Sequence, residues 1–184
     1  MIEYPRTSAA IAALLAFALA GCQPAAGPVI VGSSASVPTP SQSDFAAIVL
    51  AAVEDRNGTV LDAPRAPHLA EAQTTAAYRA KRERDFSVVA RAKAGFKSAG
   101  FWYVSFSTTV TVVSVEVNGL KASVDFKEAT EEYLSSTANG VSSVPSGYLL
   151  PQTATFLAGA EGWQLDRIVP SVRGGGLPMS VVED

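Results

Sequence analysis

One cysteine and one histidine in 184 residues set the first limits. A single thiol, Cys22, cannot close an internal disulfide or build a thiolate metal cluster. A single imidazole, His68, leaves little for a metal centre or a histidine-based catalytic relay, so no metal and no cofactor is expected. Charge of one sign is also scarce. Lys and Arg number 14 against 17 Asp and Glu, a formal net charge of -3. That balance lacks the basic surplus that displaces counterions from a phosphate backbone, which excludes general nucleic-acid binding. No apolar run reaches the roughly 20 residues that a helix needs to cross ~30 Å of hydrocarbon. There is no Gly-x-Ser-x-Gly elbow. The glycines Gly174 to Gly176 are not followed by the lysine of a phosphate loop. A hydrophobic fraction of 48% still suffices for the core of one ordinary domain.

What is present begins with "AAIAALLAFALA", Ala9 to Ala20, twelve apolar residues without a charge. This is the length of a signal-peptide h-region, behind a weak n-region in which Glu3 opposes Arg6. It stops at Leu19-Ala20-Gly21-Cys22. Small residues ahead of the thiol let an extended backbone enter a peptidase. The quartet resembles the lipobox of bacterial lipoproteins, over residues 1–22. The resemblance implies a diacylglyceryl group on the Cys22 sulfur and cleavage just before it. Each buried methylene adds about 0.8 kcal/mol of membrane affinity, and one acyl chain gives only marginal binding. Two or more chains would hold a globular domain at the extracytoplasmic face of the cell membrane.

Four domain segments follow: 1–21 signal peptide, 22–43 lipidated Cys22 and tether, 44–170 folded domain, 171–184 frayed tail. The tether holds four prolines between residues 23 and 43, many serines and few bulky groups, too little apolar surface to offset chain entropy. A short amphipathic helix then fits "SQSDFAAIVLAAVEDRNG". Ser41 or Ser43 is its cap, and Asp44 sits in the first turn. Phe45, Ile48, Val49, Ala52 and Val53 share one face, and Gly58 is a stop after Asn57. Helix formers continue from His68 to about Ala94, with a bend near Thr74 and glycines Gly95 and Gly100 at the end. Leu69, Ala72 and Ala76 form one apolar row, Phe86, Val89 and Ala90 another.

Beyond Gly100 the chain is rich in β-branched and aromatic residues. Asn118-Gly119 suits a two-residue type I′ hairpin. That turn would set Val117 against Leu120, Val115 against Ala122 and Val113 against Val124, with Glu116 against Lys121 on the other face. Asp125 alternates with Lys121, Ser123 and Lys127 on the polar side. A second hairpin turns between Gly159 and Gly162, pairing Ala158 with Trp163 and Phe156 with Leu165. The stretch between the hairpins, 135–147, reads as a loop. Helices first and an antiparallel meander after make an α+β domain, with a bent sheet wrapped around the long helix.

Leading helices, long antiparallel strands and the closing "GWQLDRI", Gly162 to Ile168, resemble the NTF2-like superfamily, over about residues 44–170. The resemblance implies a cone of helices packed on a bent antiparallel sheet. Such cones serve as enzymes, binding modules or assembly parts, so fold alone does not choose. Candidate pocket residues are Tyr78, Arg82, Trp102, Tyr103, Phe106 and Trp163. His68 is weighed as a general base against a capping residue at a helix start. The favoured reading is a non-catalytic interaction module. Its partners would be the membrane, through Cys22, and an envelope protein or wall component. The alternatives are a carrier of an apolar small molecule inside the cone and a small hydratase or isomerase. An open apolar cavity would favour the carrier. A buried Asp facing His68 or a tyrosine would favour the enzyme.

Overall fold

A computed structural model of the chain describes residues 38–63, 65–171 and 176–183. The expected signal peptide, Cys22 and the tether as far as residue 37 lie outside the described residues. The architecture within them is α+β, two helices and a five-stranded antiparallel sheet.

The first helix, α1 (Gln42–Gly58), starts at a reciprocal box. The Ser41 hydroxyl accepts from the Asp44 amide at 3.3 Å, and the Asp44 carboxylate accepts from the Ser41 amide at 2.9 Å. Two amides that the first turn would leave unpaired are satisfied, and a carboxylate sits at the positive end of the helix dipole. Gly58 is the last helical residue rather than a stop, and Thr59 caps the end.

The second helix, α2 (Ala76–Ser98), is capped by Thr75, whose hydroxyl accepts from the Tyr78 amide at 3.1 Å. The break near Thr74 is where the sequence places it, but the piece ahead of it is a single 3-10 turn, Glu71–Gln73. Gly95 lies inside α2. The chain reverses only at Gly100, where φ is 88°. A Cβ added there would lie 2.7 Å from the Thr137 hydroxyl oxygen, so conformation and space both demand glycine.

The strands are β1 (Phe101–Asn118), β2 (Lys121–Ser136), β3 (Gly140–Val141), β4 (Ser146–Gly159) and β5 (Gly162–Pro170). Their order is β1-β2-β4-β5, with β3 on β2. The stretch read as a loop therefore contains β3 and the start of β4. The β1–β2 hairpin turns one residue later than expected. Asn118 pairs with Lys121, Val117 opposes Ala122, Glu116 opposes Ser123 and Val115 opposes Val124. Gly119, at φ 60°, and Leu120 form the loop. Partners move by two positions, so the parity of inward and outward residues survives. The expected Glu116–Lys121 pair does not form. The later turn leaves Leu120 69% exposed, while Ala122, Val124 and Phe126 face inward as the alternation requires. Val113, expected against Val124, lies where the register shifts between Val112 and Ser114 and is 61% exposed. Further shifts occur between Tyr103 and Ser105 and between Thr155 and Phe156. Such bulges bend a strand. The second hairpin is as read, Ala158 opposite Trp163 and Phe156 opposite Leu165.

The core corrects the expected roles of the helices. The short α1 fills the inner face, with Phe45, Val49, Ala52 and Val53 buried among Val124, Phe126, Phe156 and Leu165. The Phe45 ring lies 4.7 Å from Phe156 and 6.0 Å from Trp163. The long α2 buries only Tyr78 and Val89, and Phe86 and Ala90 of its expected apolar row are exposed. The reason is charge. The middle of α2 carries Arg79 to Asp85, whereas α1 is apolar from Phe45 to Val53. Residues 176–183, within the stretch expected to fray, turn back on the domain. The Val181 amide donates to the Pro178 carbonyl at 2.9 Å, and Ser180 is buried.

Candidate functional site

The inner face changes character halfway along β2. Ala122, Val124 and Phe126 are followed at the same inward positions by Glu128, Thr130 and Glu132, all buried. The partner strand β4 changes at Gln152, opposite Phe126. The covering helix α1 changes at Arg56 and Asn57, one turn after Ala52 and Val53. Three elements turn polar near one level, and their polar groups meet.

Glu128 is the hub. One carboxylate oxygen accepts from Asn57 Nδ2 at 3.0 Å, the Thr130 hydroxyl at 3.0 Å and the Tyr148 hydroxyl at 2.8 Å. The other accepts from Arg56 Nη2 and Gln152 Nε2, each at 2.5 Å. Arg56 Nη1 donates to Gln152 Oε1 at 3.0 Å, closing a three-membered ring of contacts. Burial alone would push the Glu128 carboxyl up. The Arg56 charge and the hydrogen bonds from Arg56, Asn57 and Tyr148 together outweigh it and hold the carboxyl below its ordinary range. Tyr148 moves the other way. Burial and then the Glu128 charge push its phenol up to about 12. Glu132 is raised too, first by burial and then by the charge of Glu128. Arg56 Nε is buried and has no partner among the described residues.

Beside this cluster a cavity of about 70 Å³ lies between α1, α2 and β5. Ala52, Tyr78, Val89 and Ile168 give it apolar walls. Its polar lining is basic, Arg56, Lys81, Arg82 and Arg167 against Asp85. Ser180, Val181 and Val182 of the returning segment also line it. A wider groove of about 590 Å³ runs along α2 and shares Thr59, Arg82, Phe86 and Val89 with it.

The residues singled out from sequence do not form one pocket. Tyr78 and Arg82 line the cavity. Trp163 belongs to the core, its indole donating to the Pro38 carbonyl at 3.1 Å. Trp102, Tyr103 and Phe106 are half-buried on β1. Tyr103 stacks on Phe96 at 5.2 Å, and the Arg65 guanidinium sits 4.7 Å over the Phe106 ring. His68 does lie near a buried acid, its Nδ1 3.5 Å from Asp55. Yet the two Asp55 oxygens accept the backbone amides of His68 and Leu69 at 2.6 and 3.0 Å. Asp55 ties down the chain that enters α2, and the imidazole itself is 53% exposed. Lys81 and Asp85 pair at 2.9 Å, the i,i+4 contact that their spacing suggests. Among the described residues no group of three or more His, Cys, Asp or Glu could hold a metal ion.

Sequence reading missed Glu128, Tyr148, Gln152, Arg56 and Asn57. The signal was the strand alternation itself. A register that points Asp125 and Lys127 outward points Glu128 and Glu132 inward.

No protein-family model matches the chain, and no curated protein does. Among solved structures, the intermembrane space region of the chloroplast protein ARC6 is 13% identical, with a TM-score of 0.41, over 72% of this chain and 98% of that one. The Kfla4162 protein from Kribbella flavida is 18% identical, with a TM-score of 0.31, over 47% of this chain and 58% of its own length. Both are too distant to carry an argument about function.

Proposed function

We propose that this chain is an envelope lipoprotein, lipidated at Cys22, whose NTF2-like cone is a non-catalytic binding module for an envelope protein or wall component. The lipobox quartet and the h-region ahead of it support the anchor. Two leading helices and a bulged antiparallel sheet that buries α1 support the cone. The observation that carries the binding role is the saturation of Glu128. A general acid or base needs a proton or a lone pair to spare within reach of substrate. Glu128 accepts five donors and is held ionised, and Tyr148, at about 12, keeps its proton and donates it to Glu128. The cluster braces the domain instead of presenting chemistry, which disfavours the hydratase or isomerase reading. A carrier would need an interior cavity of several hundred Å³. Phe45, Phe126 and Phe156 fill that interior, and each is at most 1% exposed. The accessible feature next to this cluster is the cleft lined by Arg56, Arg82 and Arg167.

The anchor is tested by Cys22→Ala in cells. The variant is expected in the soluble fraction and the parent chain in the membrane pellet. Retention of the variant in the pellet would refute the anchor. The binding role is tested by a photo-crosslinker placed at Arg167. Capture of one envelope component, lost on Arg82→Glu, is the expected result, and capture indifferent to that reversal counts against the cleft.

A further inference from the structure

The cleft already holds a segment of polypeptide that turns at Met179 and Ser180, the chain's own residues 176–183. Its contacts are few and of a kind any suitable peptide could make. The Ser180 hydroxyl donates to Asn57 Oδ1 at 2.8 Å, the acceptor that also receives the Tyr148 hydroxyl at 3.3 Å. The Val182 carbonyl accepts from Lys81 Nζ at 3.2 Å. Val181 and Val182 supply apolar walls beside Tyr78 and Val89. Glu183 follows. A carboxylate there matches the excess of Arg and Lys around the cavity, and Arg56 Nε is a buried donor with no partner among the described residues.

We propose that this cleft is a peptide-binding site and that residues 176–183 are its resident, autoinhibitory occupant. The partner is a short segment of another protein. It carries a small hydroxyl residue, then two β-branched residues, then an acidic residue. This deepens the binding-module reading and rests on it, but not on the lipid anchor.

The energetics make the own segment a competitor. Residues 171–175 separate it from β5, and a short link gives an effective concentration of about the millimolar range. An incoming peptide sees only the fraction of molecules in which the segment has left, so its apparent affinity falls by that fraction. Expelling the segment should therefore tighten binding of a peptide added in trans. Ser180→Asp serves that purpose, because it sets a carboxylate against the Asn57 carbonyl oxygen, next to the charge of Glu128.

The experiment titrates a fluorescent peptide of the sequence Gly176–Asp184 into the full-length chain and into its Ser180→Asp variant, with a scrambled peptide as control. Limited proteolysis reports whether residues 176–183 have left the cleft. The expected result is at least about tenfold tighter binding by the variant, lost when Val181 and Val182 of the peptide become Asp. A folded variant that releases the segment and binds no peptide overturns the proposal. A variant that keeps the segment seated overturns it as well, since Ser180 would then not hold it. Dimerisation of the variant that excess peptide fails to reverse would assign the cleft to a second copy and overturn the partner reading. Should Ser180→Asp unfold, the unaltered chain decides. An excess of isotopically heavy peptide is expected to speed hydrogen exchange in its own 176–183 segment, and unchanged exchange overturns the proposal. A negative result here, with Cys22→Ala still releasing the chain from membranes and the Arg167 crosslink still sensitive to Arg82→Glu, would remove the peptide and leave the binding module.

Discussion

Glu128 has no exposed surface, and its charge is balanced by one guanidinium and four neutral donors. Removing one partner of a buried pair strands the other, which costs about 3 kcal/mol or more. Glu128→Gln is therefore expected to lower the unfolding free energy by about that amount in urea denaturation. Glu132 should behave in the opposite way. Burial and its neighbour Glu128 raise its carboxyl, so its ionised form weakens the fold at neutral pH. Glu132→Gln is expected to raise the melting temperature at pH 7, and the gain should vanish as pH falls and the native carboxyl takes up its proton. An unchanged melting temperature at every pH would mean that Glu132 is solvated.

The helices divide their labour by composition, and mutations should report the division. Phe45 of α1 is fully buried against Phe156 and Trp163. Phe45→Ala is expected to cost about 3–5 kcal/mol in chemical denaturation. Phe86 of α2 is half in solvent under Arg82, 5.6 Å from the ring centre. Phe86→Ala should cost no more than about 1 kcal/mol. Equal losses would mean that α2 carries the core after all. In the β1–β2 hairpin, Gly119 needs its positive φ, and no atom crowds the place of a Cβ. Gly119→Val is expected to cost about 1–2 kcal/mol from backbone strain alone, read as a lower melting temperature.

For the domain as a unit, acid is the expected weakness. The folded-state pKa of Glu128 lies below its ordinary value of 4.5. Its stabilisation is thus present above that value and is lost as pH falls through the folded pKa. Melting temperature should drop steeply below about pH 4.5 in the parent chain and less steeply in Glu128→Gln. Parallel curves would show that acid unfolding starts elsewhere. Much of this arrangement could be read in advance. A serine cap at Ser41 or Ser43, the break near Thr74, the Gly159–Gly162 hairpin and the inward parity of Ala122 and Val124 all follow from chemistry among near neighbours. The β1–β2 partners were misread because Asn118-Gly119 is a strong turn signal, while the bulge at Val113 carries no local signature. The polar cluster was legible only as alternation continued past Phe126, and the six candidate pocket residues share aromatic or basic character, which says nothing about a shared wall.

Caps, turns and alternation are decided within a few residues, so the order of the two helices and the four long strands was written in the chain before any packing. Which helix enters the sheet, and which residues line the cleft, depend on contacts between distant segments. Arg56 and Glu128 are 72 residues apart, and Asn57 and Ser180 are 123 apart. Such contacts form only once burial has closed the intervening loops and withdrawn water, which makes an unmatched charge costly and selects the one packing that pairs them.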